Sequence, residues 1–127
     1  MFTAFESDFG LDEKLALMIG TQFGGGARNG EMCGAVSGAL MVLGLKYGHY
    51  ESDNIEQKSR AYSIASEYTK RFKDFNGSIV CRDLLGYDLT DSNDMVYIKD
   101  KNLFGEICPK MIKSAVEVLE SILADYK

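Results

Sequence analysis

The chain predicts an all-α fold, a compact bundle of four to five helices, on three observations. Apolar residues recur at helical spacing in successive segments, and no segment sustains the two-residue alternation of a strand. The third is the stretch from Phe23 to Tyr47, glycine-rich and then too apolar for a surface helix. It reads as the central buried helix around which the others pack. At 127 residues, with 46% hydrophobic and 26% charged side chains, residues 1–127 form one globular domain able to bury a core.

Phe2, Phe5 and Phe9 fall at helical spacing, with Gly10 as the stop. This opening helix begins so close to Met1 that it reads as truncated at its N-terminus. Leu11 to Ile19 follows as a second short helix. Its stripe is Leu11, Leu15, Met18 and Ile19, with Asp12 and Glu13 where the helix dipole favours acids. Gly20 and the triple glycine Gly24, Gly25, Gly26 end it, and the loop to Gly30 carries Arg28, a single cation facing the glycine-lined space. The central helix runs from about Glu31 to Tyr47 and closes at Gly48. Gly30, Gly34 and Gly38 are spaced by four, so they line one face and let a neighbouring backbone come close.

Asp53, with Glu56 three residues on, has the pattern of a capping box. The helix it opens runs from Asn54 to about Phe75, its buried side marked by Ile55, Tyr62, Ala65, Tyr68, Thr69, Phe72 and Phe75. Asn76-Gly77 ends it, and Cys81 to Leu85 makes one further turn stopped by Gly86. Tyr87 to Glu106, polar and without strong periodicity, reads as the longest loop. Cys108-Pro109 opens the final helix, proline suiting a first helical position. Its stripe is Cys108, Met111, Ile112, Ala115, Leu119, Ile122 and Leu123.

The formal net charge of −5 argues against a nucleic-acid partner, whose phosphates need a basic face. The apolar run from Ala35 to Leu45 is far short of the ~20 residues that span a bilayer. With no signal-peptide pattern after Met1, the expected location is cytoplasmic. The single histidine, His49, lies beyond the end of the central helix, where contact with that helix end is its expected role. GGGARNG lacks the Gly-Lys-Ser/Thr of a phosphate loop and serves equally as a hinge or as a close backbone approach to a cofactor.

Chemistry concentrates on three cysteines, Cys33, Cys81 and Cys108, separated by 48 and 27 residues. No Cys-x-x-Cys pair is present, so any thiol chemistry comes from cysteines meeting through the fold. All three fall at expected helix N-termini, where unpaired N–H groups and the helix dipole favour thiolate over thiol. Arg28, Arg82 and Lys110 are near in sequence and add to that effect. Buried free cysteine is also a common core filler, and that reading stands beside the chemical one.

The strings Phe23-Gly24-Gly25-Gly26, Gly30 to Ala39 (GEMCGAVSGA), Leu43 to Gly48, Asn76-Gly77-Ser78, Cys81 to Gly86 and Cys108-Pro109 resemble the C-GCAxxG-C-C family of redox-active proteins. The resemblance covers nearly the whole chain. It implies a small helical domain whose cysteines form a redox or metal site. Family members carry four cysteines, the first on the opening helix. That position would fall a few residues before Met1, so the three cysteines here leave one coordination position open.

The expected function is therefore thiol-based redox or electron transfer, with Cys33, Cys81 and Cys108 as catalytic residues. Cys33 is the reactive thiol, because the glycine loop leaves it approachable. In a close variant, the same three cysteines ligate an iron–sulfur cluster or another thiophilic metal. Gly24, Gly25, Gly26, Arg28 and Gly34 are the expected cofactor-binding residues, and the partner is a redox protein or a small-molecule substrate. The rival is a non-catalytic helical module that binds a partner or forms a homodimer, its cysteines being structural.

Overall fold

The structure is a computed structural model that describes residues 10–126. Its elements are α1 (Glu13–Thr21), a glycine-rich turn (Gly26–Gly30), α2 (Gly34–Tyr47), α3 (Ile55–Asn76), α4 (Cys81–Leu85), α5 (Ser92–Asp100), α6 (Leu103–Glu106) and α7 (Cys108–Asp125). Among the described residues the fold is all-α, with one isolated antiparallel bridge between Met32 and Val80. No helix there is long and apolar enough to cross a membrane. The helix expected over Phe2 to Phe9 lies outside the described residues.

Side-chain caps set several boundaries. The Asp12 carboxylate accepts the Leu15 N–H at 3.0 Å, so Asp12 caps α1 instead of lying within its first turn. Asn54, not Asp53, caps α3, its Oδ1 accepting the Gln57 N–H at 3.1 Å. Gly77 and Gly86 end α3 and α4 in the left-handed region, at φ 88° and 77°, where a Cβ is disfavoured. Gly20 does not stop α1, which continues to Thr21.

Among the described residues there are seven α-helices, where the sequence predicts a bundle of four to five. The difference comes from Tyr87 to Glu106, expected as loop. There the Asp91 carboxylate accepts the N–H groups of Asn93 and Asp94 at 2.9 and 3.0 Å and starts α5. Asn102, at φ 51°, then separates α5 from α6. One buried side chain, Ile98, anchors α5, too sparse a stripe to read as periodicity.

The main core lies between α2, α3 and α7. Val36, Ala39, Val42 and Leu43 meet Ile64, Tyr68 and Phe72 of α3, with Ala115, Val118, Leu119 and Ile122 of α7 closing it. The buried line of α3 is thus Ile64, Tyr68 and Phe72 at four-residue steps. Ile55, Tyr62 and Phe75, expected inside, are exposed. Ile55 and Phe75 sit at the two ends of a 22-residue helix that outruns its 14-residue neighbour α2, and the Tyr62 ring lies under the Lys58 ammonium. On α7, Val118 joins the core, whereas Ile112 is exposed.

Inside this core the Tyr68 hydroxyl donates to the Ala115 carbonyl at 3.0 Å, tying α3 to α7. Tyr68→Phe removes this bond while keeping the ring. Urea denaturation should show a loss of about 1 kcal/mol; an unchanged midpoint would mean that the bond contributes nothing net.

A second, smaller cluster joins α4, α5, α6 and the start of α7. Cys81, Leu85 and Ile98 are its buried members, flanked by Tyr87, Leu89, Met95, Leu103, Phe104, Ile107 and Cys108. Cys33 packs against the main core. The cysteines therefore lie on both sides of the seam between the two clusters.

Candidate redox site

Two backbone hydrogen bonds bring the segments of Cys33 and Cys81 together. The Cys33 N–H donates to the Ile79 carbonyl at 2.7 Å, and the Cys81 N–H donates to the Glu31 carbonyl at 2.6 Å. They flank the Met32–Val80 bridge, so the two cysteines leave it side by side, each at the start of a helix. Outside the bridge, Arg82 donates to the Glu31 carboxylate at 3.0 Å and to the Asn29 carbonyl at 3.2 Å.

Cys33 is the N-cap of α2 and not a member of its first turn as expected. Gly34, which follows it, is where a small residue is required. A Cβ there would lie 2.8 Å from the Phe23 carbonyl oxygen, so the backbone before the triple glycine passes directly over the start of α2. The glycine face thus serves a close approach at Gly34, while Gly30 falls outside the helix at φ 68°.

The glycine-rich turn is left-handed over four successive residues, with φ of 67°, 62°, 57° and 62° at Gly25, Gly26, Ala27 and Arg28. Glycine accepts this conformation freely, whereas each of Ala27 and Arg28 costs roughly 1–2 kcal/mol. Gly26 is closely confined. A Cβ on it would meet the Glu31 carbonyl oxygen at 2.6 Å.

These elements enclose a cavity of about 240 Å³ lined by Gly20, Gly24, Gly25, Gly26, Cys33, Gly34, Ala35, Cys81, Cys108 and Ile112. All three cysteines face it, although they are far apart in sequence. Cys81 is buried, and Cys33 and Cys108 are half-buried. Of the residues expected at a cofactor, Gly24, Gly25, Gly26 and Gly34 line the wall. Arg28 does not line it but folds back behind Gly25, its Nη1 2.7 Å from where a Gly25 Cβ would be. Gly20, Ala35 and Ile112 complete the wall unforeseen. Ile112 was read as core stripe, and nothing in the sequence marks Gly20 as facing a cysteine.

The electrostatics reverse one expectation. Helix N-termini and nearby cations were expected to favour the thiolate at each cysteine. Instead burial pushes the Cys81 thiol up to about 11, and the neighbouring Cys33 and Cys108 sulfurs add to the rise. Arg28 and Arg82 oppose it without prevailing. Cys108 is raised for the same reasons, burial first and then Cys33. Both thiols sit in an apolar cluster, so desolvation prevails, and at Cys81 the five-residue α4 offers little dipole to oppose it.

Three thiols on one cavity supply soft donors of the kind that thiophilic metals prefer. As placed, however, no group of three His, Cys, Asp or Glu side chains among the described residues is gathered closely enough to hold a metal ion.

A family model described as "Putative redox-active protein (C_GCAxxG_C_C)" matches residues 1–122. No curated protein and no solved structure matches the chain.

Proposed function

Because the chain belongs to the C-GCAxxG-C-C family and shares its general redox-related role, we propose that it carries electron pairs by thiol–disulfide exchange, with Cys33 attacking and Cys81 resolving. The observation that supports this is the convergence of three free cysteines on a single cavity.

The Cys33 sulfur, ionised on attack, forms a bond to one sulfur of an incoming disulfide. The S–S bond of that disulfide breaks, and one half leaves as a thiolate that takes up a proton. Cys81 then gives up its proton and attacks the Cys33 sulfur, releasing the second half as a thiol. Two electrons have passed from the protein dithiol to the substrate, and a Cys33–Cys81 disulfide remains. Cys81 is assigned the second step because the bridge holds its backbone beside Cys33. Arg28 and Arg82 ease its ionisation at that stage. A reducing cytoplasm is the setting this proposal assumes.

The test is a native thiol count on protein purified anaerobically, with metal and acid-labile sulfide measured alongside. Fast-reacting thiols that oxidise as a pair, mapped by mass spectrometry to Cys33 and Cys81, are expected. Bound iron with sulfide would replace dithiol exchange by a cluster. Three thiols inert until denaturation would mean that the cysteines are structural.

A further inference from the structure

We infer that Cys108 is a third redox residue, which takes Cys81 over from the Cys33–Cys81 disulfide. The oxidised pair then becomes Cys81–Cys108, and Cys33 returns to the cavity as a thiol. This rests on the thiol-exchange reading above and adds the step that follows it.

Two-thiol exchange uses only two of the three cysteines that line the cavity. Cys81 is buried, at 7% exposure, whereas Cys33 and Cys108 are both half-buried. A concealed sulfur is thus accompanied by two that a reagent can reach. The Cys81 thiol feels both Cys33 and Cys108, and Cys108 feels Cys33, so the three sulfurs are mutual neighbours. They also belong to different bodies. Cys33 packs against the main core, while Cys81 and Cys108 share the smaller cluster with Leu85 and Ile98. Cys33 therefore meets Cys81 across the seam, and Cys108 meets it from within the cluster. Displacement at a disulfide sulfur needs such an arrangement, with one sulfur entering as another leaves on the far side.

In the step itself, the Cys108 thiol gives up its proton and its sulfur bonds to the Cys81 sulfur. The Cys33–Cys81 bond breaks, and Cys33 leaves as a thiolate that takes the proton up. One S–S bond replaces another, and no electrons enter or leave the chain. The new position also holds the bond more securely. Cys81 and Cys108 lie among apolar side chains, and burial raises both thiols. A sulfur whose thiol ionises reluctantly is a slow leaving group, so a disulfide between these two resists attack from outside. Cys33, freed beside the open glycine wall, can meet a second disulfide while the first oxidising equivalent stays stored behind it.

The test treats the reduced full chain with excess bis(2-hydroxyethyl) disulfide, quenches it in acid at intervals, and maps the bonds by mass spectrometry after digestion with pepsin. A Cys33–Cys81 disulfide should appear first and give way to Cys81–Cys108, after which Cys33 should carry a 2-hydroxyethylthio adduct. Cys108→Ser should hold the disulfide at Cys33–Cys81 and lower the Cys33 adduct by about tenfold or more. In Cys33→Ser the Cys81–Cys108 bond should form about a hundredfold more slowly, because it normally arises by transfer from Cys33. A wild-type disulfide that stays at Cys33–Cys81, with any adduct on Cys108, would overturn the transfer and leave the two-thiol exchange standing. Formation of Cys81–Cys108 at an undiminished rate in Cys33→Ser would overturn the transfer as well. A native chain that forms no disulfide at all would overturn both.

Discussion

Cys33→Ser should slow oxidation by small disulfides by about two orders of magnitude or more, because it removes the attacking nucleophile. Its fold should remain intact. Cys33 occupies the N-cap of α2 without making a side-chain capping bond, and serine is among the best residues for that position. Far-UV circular dichroism and a denaturation midpoint no lower than wild type are therefore expected alongside the kinetic loss. Unchanged oxidation kinetics would remove Cys33 from the mechanism. The remaining reactivity should depend steeply on pH. With Cys81 pushed up to about 11, roughly one molecule in a thousand carries its thiolate at pH 8. Labelling of Cys81 should then rise about tenfold per pH unit until it levels near pH 11. The same shift bears on stability. Folding favours the neutral thiol, so its contribution is complete below the ordinary value of 9.0 and is lost as pH rises from there towards 11.

Gly26→Ala should be the most damaging single substitution in the loop. The residue sits at φ 62°, and an added Cβ would collide with the Glu31 backbone. Conformational strain and overlap together should cost about 3 kcal/mol or more. The damage extends to the chemistry, since the Glu31 N–H donates to the Gly26 carbonyl and the Glu31 carbonyl accepts from the Cys81 N–H. Displacing Glu31 loosens the register between the Cys33 and Cys81 segments. Urea denaturation should show the destabilisation, and the yield of a Cys33–Cys81 disulfide under mild oxidant should fall. Gly44→Ala is the matched control. That glycine lies within α2 with no atom within 4 Å of an added Cβ, so alanine should stabilise by about 1 kcal/mol. If the two variants behave alike, the confinement at Gly26 has no energetic consequence.

The helical class, the central helix and the three cysteines could be read from the sequence because each leaves a local signature. Periodic apolar residues, glycine stops and Pro109 all act within a few positions of themselves. What stayed hidden depends on contacts between distant segments. The Met32–Val80 bridge joins two stretches that carry no strand pattern. The pairing of Arg82 with Glu31 crosses 51 positions. Arg82 and Arg28 look equivalent in the sequence, and only the fold shows Arg82 engaged by Glu31 and Arg28 folded back behind Gly25. The thiolate expectation failed at Cys81 and Cys108 for a similar reason. A helix start can be recognised locally, but desolvation by Ile98, Leu89 and Phe104 belongs to a cluster assembled from four elements. The extent of the buried side of α3 was misread at Ile55 and Phe75 because an apolar residue at helical spacing scores as core until the length of the neighbouring helix is known.

The two apolar clusters also give the molecule two levels of resistance to opening. The larger one unites three long helices, while the smaller buries only Cys81, Leu85 and Ile98 beneath short ones. Local unfolding should begin in the segment from Val80 to Ile107, whose amide hydrogens exchange with solvent before those of α2, α3 and α7. That segment carries Cys81. A covalent link from Cys81 to Cys33 would fasten it to the slow-exchanging body, so oxidation would slow its opening and reduction would release it. The oxidation state of the cysteines is thereby written into the exchange rates of amides that never touch sulfur.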